Sequence, residues 1–281
     1  MITALGPEKT IAQKLPAPAT LASASAADAV AACNSALDLS HPGEICRAPL
    51  PESLTEPLAE PLTEPLIVIG FMGGRVRGGN LLHKEALLVR DLDQRYPNAV
   101  YAVTFANRKE PAALHTVLQL LDTSQDGRLS AHEKSAARIV IFGHSWGASE
   151  TVHFARVLGR LGIPVLLTIQ VDSVEKSGED DQDIPPNVRE AINFYETDGL
   201  LHGRSSIQAM DPQRTEILGN YESTYKSNPV SCAGFSWYAR AFMKPHIEIE
   251  NDSAVWNRIE ALIVARSRAA NPVGIPTPGT Q

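Results

Sequence analysis

Cysteine is scarce: Cys33, Cys46 and Cys232 are the three in 281 residues, too few for a disulfide scaffold. Cys33 and Cys46 are close enough in sequence to staple an N-terminal arm in an oxidising compartment, which would leave Cys232 over; reduced, buried thiols are the alternative reading. Positive charge is also short. Lys and Arg number 25 against 32 Asp and Glu, giving a formal net charge of −7 and a pI near 5.6. No basic field is available to attract a phosphate backbone or anionic headgroups, so nucleic acid is not an expected partner. No hydrophobic run approaches the roughly 20 residues of a membrane-spanning helix, so no transmembrane segment is expected. The charged-then-apolar order of a secretory signal is missing too, because Lys9 and Lys14 lead into an Ala/Ser/Pro stretch interrupted by Asp28. Val30-Ala31-Ala32-Cys33 bears only a faint likeness to a lipoprotein cleavage site.

What is present is ordinary globular usage, 43% hydrophobic and 20% charged, which speaks against wholesale disorder. The length suits one sizeable core with tails, although two domains would also fit. Residues 1–48 are Ala/Ser/Pro-rich, and residues 56–66 repeat Glu-Pro-Leu at four-residue spacing, which neither a helix nor a central strand sustains. The expected organisation is an arm and Pro-rich linker over residues 1–65, a folded domain over 66–268 and a Pro/Gly-rich flexible tail over 269–281.

Within the domain, Leu66 to Gly70, Ala99 to Ala106, Arg138 to Phe142, Ile163 to Val171 and Ala191 to Glu196 are apolar, largely β-branched runs. Continuous rather than alternating hydrophobicity predicts strands covered on both faces. Helical patterns lie between them at Leu82 to Tyr96, Ala112 to Leu121, Ala131 to Ala137 and Ala148 to Leu161, and a last helix spans Ser253 to Arg266. There Val255, Trp256, Ile259, Leu262 and Ile263 make one apolar stripe. Strand and helix alternate, so an α/β fold is expected, with a mostly parallel central sheet and helices on both faces.

One motif carries chemistry. Gly143-His144-Ser145-Trp146-Gly147 is a Gly-x-Ser-x-Gly sequence, which chance alone produces in roughly one chain of this length in ten. Here it follows a strand run directly and opens a helical pattern, the setting in which a serine is held exposed on a sharp, strained turn. From about residue 66 to residue 268 the chain resembles the α/β-hydrolase superfamily. That resemblance implies a serine hydrolase acting on a carboxylic ester, or on a thioester or in acyl transfer with the same residues, and it orders the triad as Ser, acid, His. A small-molecule or lipid-like ester is the implied substrate, with no organic cofactor.

By that order the base is His246, just before the last helix, with His202 in Gly199-Leu200-Leu201-His202-Gly203 as competitor. The acid is Asp172, at the end of the first strand after the nucleophile helix, as in the pancreatic-type lipases; Asp198 and Asp211 compete for the role. The oxyanion would take the N–H of Trp146 and one from Phe71 or Met72, in a Gly70-Phe71-Met72-Gly73-Gly74 loop that resembles the family's His-Gly-x loop with Ile69 in place of histidine. The same loop lacks the Gly-Lys-Ser/Thr ending of a phosphate-binding loop. Residues 197–244, with Tyr221, Tyr225, Phe235, Trp237 and Tyr238, are expected to form a substrate wall or lid, or simply packed loops.

A second motif precedes the nucleophile strand. Residues 122–133 follow the twelve-residue grammar of an EF-hand loop: Asp122, Ser124 and Asp126 at positions 1, 3 and 5, then the turn Gly127. The Arg128 carbonyl, Ser130 and a bidentate Glu133 complete it. Such a pattern arises by chance in on the order of one chain in a thousand. It predicts a structural Ca²⁺, weakened by Ser124 standing where Asp or Asn is usual, or else a loop that keeps the turn without the ion. A non-catalytic calcium-binding protein on a hydrolase scaffold is therefore the alternative function. A calcium loop and a Cys33–Cys46 pair favour an extracytoplasmic or secreted place, and the missing signal sequence favours the interior.

Overall fold

The computed structural model describes residues 65–268. The arm with its proline repeat, the Cys33–Cys46 pairing and the tail lie outside the described residues. In chain order the strands are β1 (Leu66–Met72), β2 (Val100–Ala106), β3 (Ile139–His144), β4 (Val165–Val171), β5 (Asp183–Ile184), β6 (Val188–Glu196), β7 (Gln208–Ala209) and β8 (Glu216–Ser223). The helices are α1 (Lys84–Arg95), α2 (Glu110–Leu121), α3 (Ala131–Ser135), α4 (Trp146–Arg160), α5 (Trp237–Phe242), α6 (Lys244–Asn251) and α7 (Ser253–Arg268). Six strands form one sheet in the order β2-β1-β3-β4-β6-β8, every pairing parallel, while β5 and β7 make a small parallel ladder of their own. The fold is α/β, with helices on both faces of a parallel sheet.

Alternation along the strands explains the continuous hydrophobic runs. On β1, Leu66 and Val68 enter one core with Leu88 and Leu92 of α1 and Trp256, Ile259 and Ile263 of α7. Ile67, Ile69 and Phe71 enter the other, with Ala113 and Val117 of α2 and Phe154 and Leu158 of α4. β3 splits in the same way, Val140 and Phe142 to the first core, Ile139 and Ile141 to the second. A strand with water on neither side has no reason to alternate, and each such side chain gains about 1.5–3 kcal/mol by leaving water.

Two regions depart from expectation. Residues 197–244 hold β7, β8 and α5 rather than loops alone. β8 is a half-exposed edge strand, and its pairing with β6 slips where Gly219 takes a φ of 146°. A Cβ at Gly219 would lie 2.6 Å from the Tyr221 ring, so the glycine that hides the strand in the sequence is what lets it pair. His246, expected just before the last helix, lies inside α6, which Pro245 opens in its first turn.

Candidate active site

β3 delivers Ser145 to the carboxyl edge of the sheet, where open α/β folds collect functional groups. The Ser145 amide still donates to the Val171 carbonyl of β4 at 2.9 Å, so the ladder runs into the turn before α4 begins. Ser145 itself takes φ 56° and ψ −124°, a region that costs a non-glycine residue of order 1–3 kcal/mol. The flanking glycines serve close approach instead. A Cβ on Gly143 would sit 2.4 Å from the Gly147 carbonyl, and one on Gly147 would sit 2.1 Å from the Phe71 carbonyl oxygen. Strand and helix can cross this tightly only without those two side chains. Ser145 is 8% exposed, and among the described residues its hydroxyl makes no hydrogen bond.

One strand away, Asp172 follows β4 and is fully buried, also at positive φ (46°). Its Oδ2 faces His246 Nδ1 at 2.5 Å, and its Oδ1 accepts the amides of Gly203 at 2.7 Å and Glu196 at 3.2 Å. The backbone at Gly203 presses so close that a Cβ there would meet Asp172 at 2.2 Å. A carboxylate held by amides on one oxygen and an imidazole on the other has a fixed orientation, and it fixes the imidazole with its proton on Nδ1. The competitors are engaged elsewhere. Asp198 accepts from the Tyr225 amide, Thr224 Oγ1 and Lys226; the first of these, with the other two, holds its carboxyl down at about 2. Asp211 caps its own turn through the Gln213 amide, and His202 is exposed beside the Gly203 carbonyl.

Sequence reasoning missed Glu196, the last residue of β6. It is fully buried; Oε2 accepts the amides of Asp198 and Gly199 and Oε1 has no partner. Burial, and then the charge of Asp172, push its carboxyl up from the ordinary range. Its signal was its place, at the end of the strand after the one that carries Asp172.

Trp146, the first residue of α4, offers one of the amides a helix N-terminus leaves unpaired. Phe71 and Met72 both lie within β1, whose pairing with β3 ends at Phe71 and Gly143. The residue that faces Ser145 across the turn is Gly73: a Cβ there would lie 3.4 Å from Ser145 Cβ and 3.2 Å from His144 Nδ1. Its amide donates to Glu85 Oε1 at 3.2 Å, and Asn107 Nδ2 holds the turn by donating to the Met72 and Gly74 carbonyls.

No protein-family profile and no curated protein matches the chain. Solved structures give distant likenesses. A YdeN-like hydrolase from Pectobacterium atrosepticum has 11% identity and a TM-score of 0.37, over 72% of this chain and 92% of that one. The RedJ thioesterase of the prodiginine pathway of Streptomyces coelicolor has 13% identity and a TM-score of 0.37, over 78% and 98%. An esterase/lipase from an uncultured bacterium has 10% identity and a TM-score of 0.37, over 74% and 78%.

Behind the elbow lies a buried polar cluster that no motif announced. His83 Nδ1 meets Glu250 Oε1 at 2.6 Å, His144 Nδ1 lies 3.5 Å from Glu250 Oε2, and Glu85 is fully buried beside them. Burial and the charge of Glu250 push the Glu85 carboxyl up to about 8. The His144 and His246 rings pack with centroids 4.5 Å apart, and His144 Nε2 donates to the His246 carbonyl at 3.1 Å.

The 122–133 loop keeps the expected turn, with Gly127 at φ 77°, Asp122 Oδ2 accepting the Gly127 amide at 2.9 Å and Asp126 Oδ1 the Arg128 amide at 2.8 Å. Its helices are unequal: α2 is full length, α3 a single turn that soon passes into β3. Glu133 forms a capping box with Ser130, and its oxygens also accept from the Ser124 amide and Thr123 Oγ1, both at 3.0 Å. Among the described residues, Asp122, Asp126 and Glu133 are not gathered within the 4.8 Å that joins His83, Glu85 and Glu250. In the 197–244 region, Tyr221 packs under Arg258 and Tyr225 is buried, while Trp237, Tyr238 and Phe242 of α5 stand exposed with Leu200. Phe235 lies edge-on to His83. No helix among the described residues is long and apolar enough to cross a membrane.

Proposed function

We propose that this chain is a serine hydrolase of carboxylic esters, working through Ser145, His246 and Asp172 and a covalent acyl-enzyme. The observation that carries the reading is the buried Asp172–His246 bond, one strand from a serine held at positive φ. With Nδ1–H committed to Asp172, Nε2 is the nitrogen left to accept the Ser145 proton as Oγ attacks the acyl carbon. Such contacts commonly tighten only once substrate is bound. The oxyanion takes the Trp146 amide and one from Phe71 or Met72 at the end of β1, the Gly73 amide being taken by Glu85. His246 then protonates the departing alkoxide, and water repeats the sequence to free the acid. A thioester, or an acyl acceptor other than water, would pass through the same groups. Exposed Trp237, Tyr238 and Phe242, on the helix just before the one that carries His246, suit a lipid-like acyl chain.

Purified protein should hydrolyse a short p-nitrophenyl ester, lose that turnover in Ser145→Ala, and take a serine-directed phosphonate on Ser145. A chain that folds yet takes no label would instead be the calcium-binding scaffold. For the 122–133 loop, the proposal is a structural Ca²⁺ held by Asp122, Ser124, Asp126, the Arg128 carbonyl, Ser130 and Glu133. Glu133 must exchange its bonds to Ser124, Thr123 and Ser130 for the ion, which lowers the affinity. Millimolar Ca²⁺ should raise the melting temperature through linkage, and identical melts with calcium and with chelator would remove the site.

A further inference from the structure

We propose that His83, His144, Glu85 and Glu250 form a site for a divalent transition metal of the zinc kind, set behind the nucleophile turn. The ligand atoms of His83, Glu85 and Glu250 already lie within 4.8 Å of one another, on α1, its N-cap and α6. Each such atom has one nitrogen or oxygen lone pair to give.

The hydrogen bonding leaves acceptor atoms facing one another. His144 Nε2 faces a carbonyl oxygen, which can only accept, so the His144 proton sits on Nε2 and Nδ1 presents a lone pair. That lone pair points toward Glu250 Oε2 at 3.5 Å, which is itself an acceptor. Glu85 Oε1 is taken by the Gly73 amide, but Oε2, fully buried, has no partner at all. Only the His83–Glu250 contact has room for a proton between its atoms. Unpaired buried acceptors are rare in folded proteins, and here Glu85 Oε2 has no partner while the His144 lone pair lies 3.5 Å from Glu250 Oε2.

Two imidazoles and two carboxylates match the nitrogen and oxygen preferences of Zn²⁺, whereas calcium takes oxygen alone. Ligand bonds of about 2.0–2.2 Å set tetrahedral neighbours roughly 3.4 Å apart, close to the 3.5 Å between His144 Nδ1 and Glu250 Oε2 and wider than the 2.6 Å between His83 Nδ1 and Glu250 Oε1. The two carboxylates also balance the charge of a divalent ion. The ion would replace the proton between His83 Nδ1 and Glu250 Oε1, His83 and Glu250 separating slightly to admit it. It would touch no substrate. Through Glu85 it would hold the Gly73 turn, and through His144 the backbone of His246, so it acts on the active site only by position.

The test uses the full, untagged chain stripped by a chelator. Titration with Zn²⁺ should show one tight equivalent and a rise in melting temperature, and Co²⁺ in its place should give the strong visible bands of a tetrahedral nitrogen and oxygen site. Glu85→Gln and Glu250→Gln should each weaken zinc at least about tenfold. Glu133→Gln in the calcium loop and Ser145→Ala should leave zinc uptake as it was. The wild-type arm stands even where a variant fails to fold. A wild-type chain with no stoichiometric zinc, no zinc-dependent melt and no tetrahedral cobalt spectrum would overturn the proposal. So would zinc binding that is undiminished in both glutamate variants, or lost in Glu133→Gln. Because Ser145→Ala retains the four ligands, failure of the metal site and failure of the hydrolase reading give different results.

Discussion

The chain is rich in polar groups at both ends of β3, and it treats them in opposite ways. In the segment that leads into β3, Asp122, Asp126 and Glu133 turn their carboxylates onto the loop's own amides and hydroxyls. Beyond its far end, the Ser145 hydroxyl makes no hydrogen bond among the described residues, and one buried oxygen each of Glu85 and Glu196 has no partner either. The first arrangement is what a stable turn needs. The second leaves groups unmade at a cost of about 1–3 kcal/mol for each buried atom, with Ser145 and Asp172 at positive φ beside them, although the loop also carries one such residue, Gln125. Acidic residues alone therefore say little; whether their oxygens are satisfied is what separates the two ends.

The most severe way to break this contrast is at the strained end. Ser145→Ala should remove ester turnover, and Asp172→Asn should lower kcat by about four orders of magnitude, as loss of the orienting carboxylate does in triads. Asp198→Asn should stay within a few-fold of wild type in the same p-nitrophenyl assay. If instead Asp198→Asn is the inactive one, the acid has been placed wrongly. Next in size, Gly147→Ala should cost about 1–3 kcal/mol through the clash with the Phe71 carbonyl, measured by urea unfolding, and a neutral outcome would show that the elbow is looser than its contacts imply. At the satisfied end, Glu133→Ala loses half of the capping box, which Gln would keep, and should lower the urea midpoint in calcium-free buffer by less than Gly147→Ala does; no change would show that the loop's bonds are idle.

The smallest effect concerns acid. The Asp198 carboxyl is held at about 2 against an ordinary 3.8, so its contribution to stability is present above the ordinary value and fades as pH falls toward about 2. Asp198→Asn should therefore destabilise the chain at neutral pH and converge with wild type in strong acid. Parallel stability curves across that range would remove the effect.

Much of the fold was legible because the sheet is parallel. β1, β3 and β4 are buried on both faces, so their sequences read as unbroken apolar runs, and Gly143 and Gly147 mark the turn between β3 and α4. β8 was not legible, since an edge strand with one wet face, interrupted at Gly219, has the composition of a loop. α6 hid for a different reason: Lys-Pro-His-Ile-Glu-Ile-Glu alternates like a strand, yet Pro245 fits a helix start and tertiary packing decides the rest. Ser145, Asp172 and His246, the residues of the proposed triad, could be named from residue type, strand ends and the order that the resemblance implies, and the structure brings Asp172 and His246 together. Glu196 and the His83–Glu85–Glu250 cluster could not, because they come together only through contacts up to 167 residues apart in sequence.

α6 has a wider role than carrying one imidazole. One turn separates His246, held by Asp172, from Glu250, held by His83. Undocking this eight-residue helix would part His246 from Asp172 and Glu250 from His83 in one motion. Amide hydrogen exchange along α6 should accordingly change as a unit, rising where the proposed site comes apart, a readout of assembly that needs no substrate.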